Sequence, residues 1–310
     1  MDERDAAEAS LYLTDQNIMA SAIQISSERS KTLLRNYQDA IAEKRRQTLL
    51  LLAVMVLVVI ISCVIAEVRP ALFWKNAANF TDYFGRLLFL DNGQSVLSDP
   101  AEWLWGLKKW SASLGETLLM AYVGTLLGAS GAFLLCFAAS KNITRSFWVV
   151  AMTRRLLEFS RTVPEIVFAL IFVVAFGLGP VAGVLAIVIH TMGALGKLFA
   201  EVVENIDMKP VEGVSASGGG WLARVRFGAL PQIWSNFVSY GLLRFEINVR
   251  GAAVMGFVGA GGIGQTLLES IRKFYYSDVS AIILMIIISV MLIDAITERV
   301  RHRLIGEESR

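Results

Sequence analysis

The chain has 310 residues, 55% of them hydrophobic and 18% charged, and its mean hydropathy of +0.55 is too high for an ordinary water-facing surface. A formal net charge of +2, with no long basic stripe, gives no footing for a nucleic-acid partner. Cys63 and Cys136 both lie in apolar runs without companion ligands, so each reads as a packing residue, and neither a metal nor any other cofactor is expected.

In chain order, residues 1–29 carry no readable pattern. Residues 30–47 place Leu33, Leu34, Tyr37, Ile41 and Ala42 at helical spacing among charges, which predicts an amphipathic helix in the interface or the cytoplasm. The first apolar run begins near Leu49, after Lys44, Arg45 and Arg46, which is not the pattern of a cleaved signal peptide. Six stretches approach the ~20 residues needed to cross ~30 Å of hydrocarbon: residues 49–66, 117–139, 164–178, 181–200, 233–258 and 279–295. The third is short, so residues 159–163 or a tilted neighbour must complete it. With both termini in the cytoplasm, the cytoplasmic stretches hold 17 Lys and Arg against 7 on the opposite side, the asymmetry expected of an inner-membrane protein. The external stretch is rich in aromatics (Phe73, Trp74, Phe80, Trp103, Trp105, Trp110) and reads as an aromatic belt at the headgroups.

The loop after the fourth stretch carries Glu212-Gly-Val-Ser-Ala-Ser-Gly218, nine further residues, then Gly228-Ala-Leu230-Pro231. Its composition predicts one short helix over 211–217, a turn at Gly218–Gly220 where no Cβ obstructs the chain, and a second short helix over 221–227 at an angle to the first. Pro231 suits the first turn of the next spanning helix. A helical turn protruding in this way can fit a groove on another protein.

This segment resembles the cytoplasmic signature of ABC-importer permeases, with Glu212, Gly218, Leu230 and Pro231 in register, while Gly213, Val214 and Gly228 depart from it. The runs beginning at Glu165, Gly177, Arg244 and Val258 are similar to the phosphonate-permease family in particular, so the likeness covers roughly residues 114–303. It implies an all-α polytopic membrane protein with six spanning helices. The expected division is an N-terminal segment (1–47), a first span with the external segment (48–112), a permease domain (113–298) containing a coupling loop at 207–232, and a tail (299–310). The resemblance further implies a homodimer in the lipid bilayer, an ABC ATPase dimer on the cytoplasmic side and a periplasmic substrate-binding protein. The expected cargo is a phosphonate or related phosphorus oxyanion, the alternatives being another small anion or a secondary transporter. No phosphate-cradling loop is present, because Gly193-Ala-Leu-Gly196-Lys197 lacks the spacing, so ATP hydrolysis is expected in another chain.

Gly259-Ala-Gly261-Gly262-Ile-Gly264 formally fits a dinucleotide fingerprint, but spanning stretches on both sides favour a helix break or gate near the pathway. Arg244, Glu246 and Arg250 lie inside an apolar span, where charges are costly. Either Glu246 and Arg250, four apart, form an internal ion pair, or Arg244 or Arg250 lines the pathway and attracts the anion. His190, with no second ligand nearby, reads as a packed residue with one hydrogen bond, and Lys197 with Glu201 as an ion pair at the end of its span. Arg154, Arg155, Glu158 and Arg161 read as a cytoplasmic elbow against headgroups. A membrane enzyme is disfavoured, since no loop gathers nucleophile, base and metal ligands.

Overall fold

The computed structural model describes residues 27–90 and 92–308, so the expectations for residues 1–26 and for the last two residues of the tail lie outside it. The chain divides into two compact units, Met1–Ala78 and Asn79–Arg310. Among the described residues there are helices and one isolated bridge, Phe89 with Ser95.

The first unit is dominated by helix α1, Ser27–Ile65. The amphipathic segment does not form a separate element lying in the interface. It continues directly into the first span, making 39 residues, or about 58 Å at 1.5 Å per residue, roughly twice the hydrocarbon thickness. Nothing between Lys44 and Leu49 breaks a helix, and the Thr48 hydroxyl donates back to the Lys44 carbonyl at 2.9 Å. Helix α2, Pro70–Leu87, follows.

The second unit continues with α3 (Pro100–Trp103), α4 (Leu107–Ala139), α5 (Phe147–Thr162), α6 (Glu165–Phe176) and α7 (Pro180–Glu204). It then adds the short helix α8 (Met208–Ala216), α9 (Trp221–Ala223), α10 (Leu230–Met255), α11 (Gly262–Arg272) and α12 (Tyr276–Glu308). Helices α1, α4, α7 and α12 are individually long and apolar enough to cross a membrane, and two bent pairs bring the total to six if each pair is one span. The third stretch differs from expectation. Residues 159–163 do not extend it, because α5 and α6 meet at 87°. Pro164 drives Val163 into extended backbone (ψ 124°) and ends α5 there, leaving α6 with 12 residues, about 18 Å.

Helix α7 is the centre of the bundle. Its face toward α4 is met by Gly124 and Gly128, where a Cβ would fall 2.5 Å from Ile187 Cγ2 and 2.7 Å from Thr191 Cβ. Its own Gly193 and Gly196 admit α5, with Leu157 and Ser160 filling the space a side chain would take. Small residues three or four apart allow this backbone approach, the main source of attraction between helices in lipid. The fully buried Asn248 of α10 donates to Thr125 of α4 (2.7 Å) and Thr191 of α7 (2.9 Å), joining three helices by one amide.

The aromatic belt is partly structural. Trp110 is buried, the Trp103 indole donates to the Ser277 carbonyl and Ser280 hydroxyl, and the Trp105 indole donates to Asp278 at 2.9 Å. These rings fasten the segment before α4 to the start of α12. Phe80 remains exposed, as a headgroup contact requires.

Gly128→Leu should destabilise the permease by about 3 kcal/mol or prevent its folding, since overpacking a tight seam costs that order of energy. Thermal unfolding in detergent checks this, with Gly115→Leu as control because a Cβ there meets nothing within 4 Å.

Candidate functional site

The segment between α7 and α10 begins at Asp207, whose carboxylate caps α8 by accepting from the Lys209 amide at 3.0 Å. Helix α8 ends at Ser217. Gly218 then turns the chain in the left-handed region (φ +83°), and the Gly219 amide donates to the Val214 carbonyl at 2.9 Å. The second limb departs from expectation. Instead of a separate short helix over 221–227, α9 passes through a π-helical turn, Arg224–Ala229, straight into α10. Pro231 cannot donate a backbone hydrogen bond, and the wider turn before it accommodates that loss. The Gly228 carbonyl is taken by the Gln232 side chain at 2.7 Å.

Gln232 also closes the base of the segment: its amide nitrogen donates to the Asp207 carbonyl and its oxygen accepts from the Asp207 amide, both at 3.1 Å. Gly228, where the signature has isoleucine, lies against α8, and a Cβ there would come within 2.8 Å of Val211 Cα. Val211, Val225, Ala229 and Ile233 are buried in one core with Leu157, Leu195 and Phe199 of the spanning helices. The segment is thus seated on the bundle. Of the residues in register with the signature, Glu212, Gly218 and Pro231 are exposed and Leu230 is half-buried, while Trp221, Leu222 and Phe227 add an exposed apolar surface.

At the other end of α10 the helix tightens at Gly256–Val258 and breaks, and α11 departs at 45°. Gly259, Gly261 and Gly262 all have positive φ (+88°, +82°, +73°), which other residues adopt only with strain. Gly264 serves close packing, since a Cβ would lie 1.8 Å from the Ala253 carbonyl oxygen. The break is held from both sides. Glu116 and Thr117 of α4 accept from the Gly262 and Ile263 amides (3.1 and 2.8 Å), and the Gly179 amide donates to the Gly259 carbonyl at 2.9 Å.

The three charges of α10 separate into two groups. Arg250 pairs with Glu246 and lies 3.6 Å from Asp294 of α12. Arg244 points elsewhere: it contacts His190 of α7 and lies 3.9 Å from Glu165 of α6, which is itself 3.7 Å from His190. The Arg244 side chain is 12% exposed, against 50% for Arg250. Gly251 makes room for the carboxylate, because a Cβ there would meet Glu165 Oε1 at 2.5 Å. The separations to Glu165 are ion-pair distances, too long for hydrogen bonds. His190 is thus packed with one hydrogen bond, to Arg244, and it also faces Glu165. The signal that could have found this group is that Glu165 is the one charge of an apolar helix and that His190 and Arg244 lie within apolar runs, where charges at membrane depth require partners.

Breaks at both bent spans, a turned loop seated on the core and paired interior charges define a polytopic membrane transport subunit. The chain belongs to the binding-protein-dependent transport system inner membrane components, matched over residues 131–306. It is 39% identical over 190 residues to the phosphite transport system permease protein PtxC of Stutzerimonas stutzeri, covering 61% of this chain and 69% of that one. It is 36% identical over 190 residues to the phosphate-import permease protein PhnE of Mycolicibacterium smegmatis, covering 61% and 36%. The fold is shared with the MetNI methionine ABC transporter in an inward-facing conformation, at a TM-score of 0.55 with 19% identity over 66% of this chain and 98% of that one. It is also shared with a bacterial ABC transporter involved in alginate import, at a TM-score of 0.58 with 11% identity over 77% and 95%. The protein is thus a multi-pass inner-membrane permease subunit that works with a separate ATPase and a substrate-binding protein, and ATP hydrolysis belongs to the ATPase.

Arg244→Gln should cost about 3 kcal/mol, the scale for removing one partner of a largely buried pair, and lower the thermal midpoint. Glu165→Gln added to it should restore most of the loss. The half-exposed Arg250→Gln should shift the midpoint little. An Arg244→Gln midpoint equal to the parent's removes the pairing argument.

Proposed function

We propose that this permease passes a phosphonate, phosphite or related phosphorus oxyanion into the cell, as a homodimer with both termini in the cytoplasm, and that residues 207–232 receive the ATPase. The observation that carries the coupling reading is the seating of α8 and the Arg224–Ala229 turn in the same core as the spanning helices. A push on this loop therefore reaches the bundle without an intervening hinge. Glu212, Gly218, Leu230 and Pro231 shape the contact, and the exposed Trp221, Leu222 and Phe227 supply apolar area for a groove on the partner. The cargo class rests on the relatives, whose names specify phosphite and phosphate transport.

Along α10, Arg244 is the pathway residue and Arg250 with Glu246 the tie to α12. Arg250 already faces two carboxylates, whereas Arg244 Nε has no hydrogen-bond acceptor and can turn its donors to an anion. Gly259, Gly261 and Gly262 supply the backbone freedom a gate needs at the far end of the same helix, and Gly264 the close packing beside it.

Reconstituted with its ATPase and binding protein, the permease should show ATPase stimulation by phosphite, methylphosphonate or phosphate and none by sulfate. A flat response across the phosphorus oxyanions rejects the cargo. Gly218→Val should assemble but lose stimulation, because a Cβ there meets nothing within 4 Å and the cost is backbone strain alone, about 1–2 kcal/mol. Gly218→Asn, which tolerates this conformation, should retain more. Reporter fusions at Met1 and Arg310 should both read cytoplasmic, and differently tagged copies should co-purify.

A further inference from the structure

The C-terminal ends of α4 and α7 meet beside the 207–232 segment, where each presents unpaired carbonyls and a partial negative charge. Glu204, the last residue of α7, adds a full negative charge at the same place. Arg154 of α5 answers two of these: its Nε donates to the Ala139 carbonyl that ends α4 (2.8 Å), and its Nη2 reaches Glu204 Oε1 at 2.5 Å. The same carboxylate oxygen accepts from the Lys141 amide at 2.8 Å. One residue on, the Asn142 amide donates to the Val203 carbonyl (2.7 Å) and touches Met208 Sδ, at the start of α8 (3.5 Å). Arg154 therefore does not face headgroups. Its neighbours Arg155 (81% exposed) and Glu158 pair with each other at the surface instead.

Glu204 stands three residues before Asp207, the cap of α8, so force carried along the chain from α8 to α7 crosses this junction. We propose that Arg154 and Glu204 are positioning residues for coupling: they lock the ends of α4 and α7 and the middle of α5 to the loop, so that these parts move as one body when the ATPase closes. The inference rests on the reading that residues 207–232 receive the ATPase. A guanidinium suits this place because its rigid fork holds two acceptors in one fixed geometry from separate nitrogens, whereas an ammonium's three donors turn about a single atom. Both side chains are about one-third exposed, so the pair is worth little as bulk stability and its value lies in geometry.

The test uses the permease–ATPase complex with Cys63→Ser and Cys136→Ala and spin labels at Lys209→Cys on α8 and Trp148→Cys on α5. In the parent, the label distance should be single and narrow, and unchanged between the nucleotide-free and ATP-vanadate-trapped states. Glu204→Gln and Arg154→Gln should keep the ATPase bound but broaden the distribution on trapping, and Arg154→Lys should fall between. A parent distance that itself shifts on trapping overturns the proposal, as do variant distributions as narrow as the parent's. If a glutamine variant fails to assemble, Arg154→Lys and the parent decide by the same readout. Failure of the parent to hold the ATPase would instead reject the coupling reading on which the proposal rests.

Discussion

In hydrocarbon an apolar helix gains nothing by leaving lipid for another apolar helix, so this bundle depends on how closely α7 lets its neighbours approach. Gly124 and Gly128 bring α4 onto one face, and Gly193 and Gly196 bring α5 onto another. Once the backbones are that near, a single amide, Asn248, can reach hydroxyls on two helices at once. The polar contact needs the glycine seam, and it fixes the rotation of α10 that the seam does not specify. The Arg154 junction depends on the same seam, since only helices in backbone contact end close enough for one guanidinium to join them.

That rotation decides where the charges of α10 go. Residues 244 and 248 lie four apart, so with Asn248 turned inward Arg244 lies on the same inner face and meets His190 and Glu165. Glu246 and Arg250, offset from them by two positions, lie toward α12 and find Asp294. Two groups with different partners therefore follow from one helical period. A short stretch of sequence that looks like a single charged patch is physically two sites, one largely buried and one half-exposed.

The features legible in the sequence are those set by local chemistry. Spanning stretches follow from hydropathy, the turn at Gly218 and the break at Gly259–Gly262 from glycine, and the entry of α10 from Pro231. Features that require knowing which helix neighbours which were not legible. The partners of His190 and Arg154 lie 54 and 50 residues away in sequence, respectively, and no period within one helix predicts them. Two local features were also missed, for a different reason. The amphipathic segment fuses with the first span in α1 because nothing between them breaks a helix, and a change of composition from charged to apolar imitates a boundary where the backbone has none. The second limb runs into α10 because the π-helical turn absorbs the missing donor of Pro231, which in sequence reads as a fresh helix start.

The continuity of the second limb with α10 bears on how the loop acts. Had Trp221–Phe227 been a separate helix joined by a flexible turn, motion at the loop could be absorbed before reaching the span. The π-helical turn leaves no such joint, and α10 runs on for 26 residues, about 39 Å, which exceeds the hydrocarbon thickness. On the coupling reading, displacement at Trp221 is therefore delivered along one rod to Gly259, where the backbone is again free to bend. There the backbone is held by hydrogen bonds, from Gly179 on one side and to Glu116 and Thr117 on the other. Such bonds can exchange partners at little net cost, since each is worth about 1 kcal/mol once water or another acceptor replaces it. The stiff part of the helix thus lies between the loop and the break, and the compliant part lies at the break, the arrangement in which motion at one face of the bundle opens or closes the other.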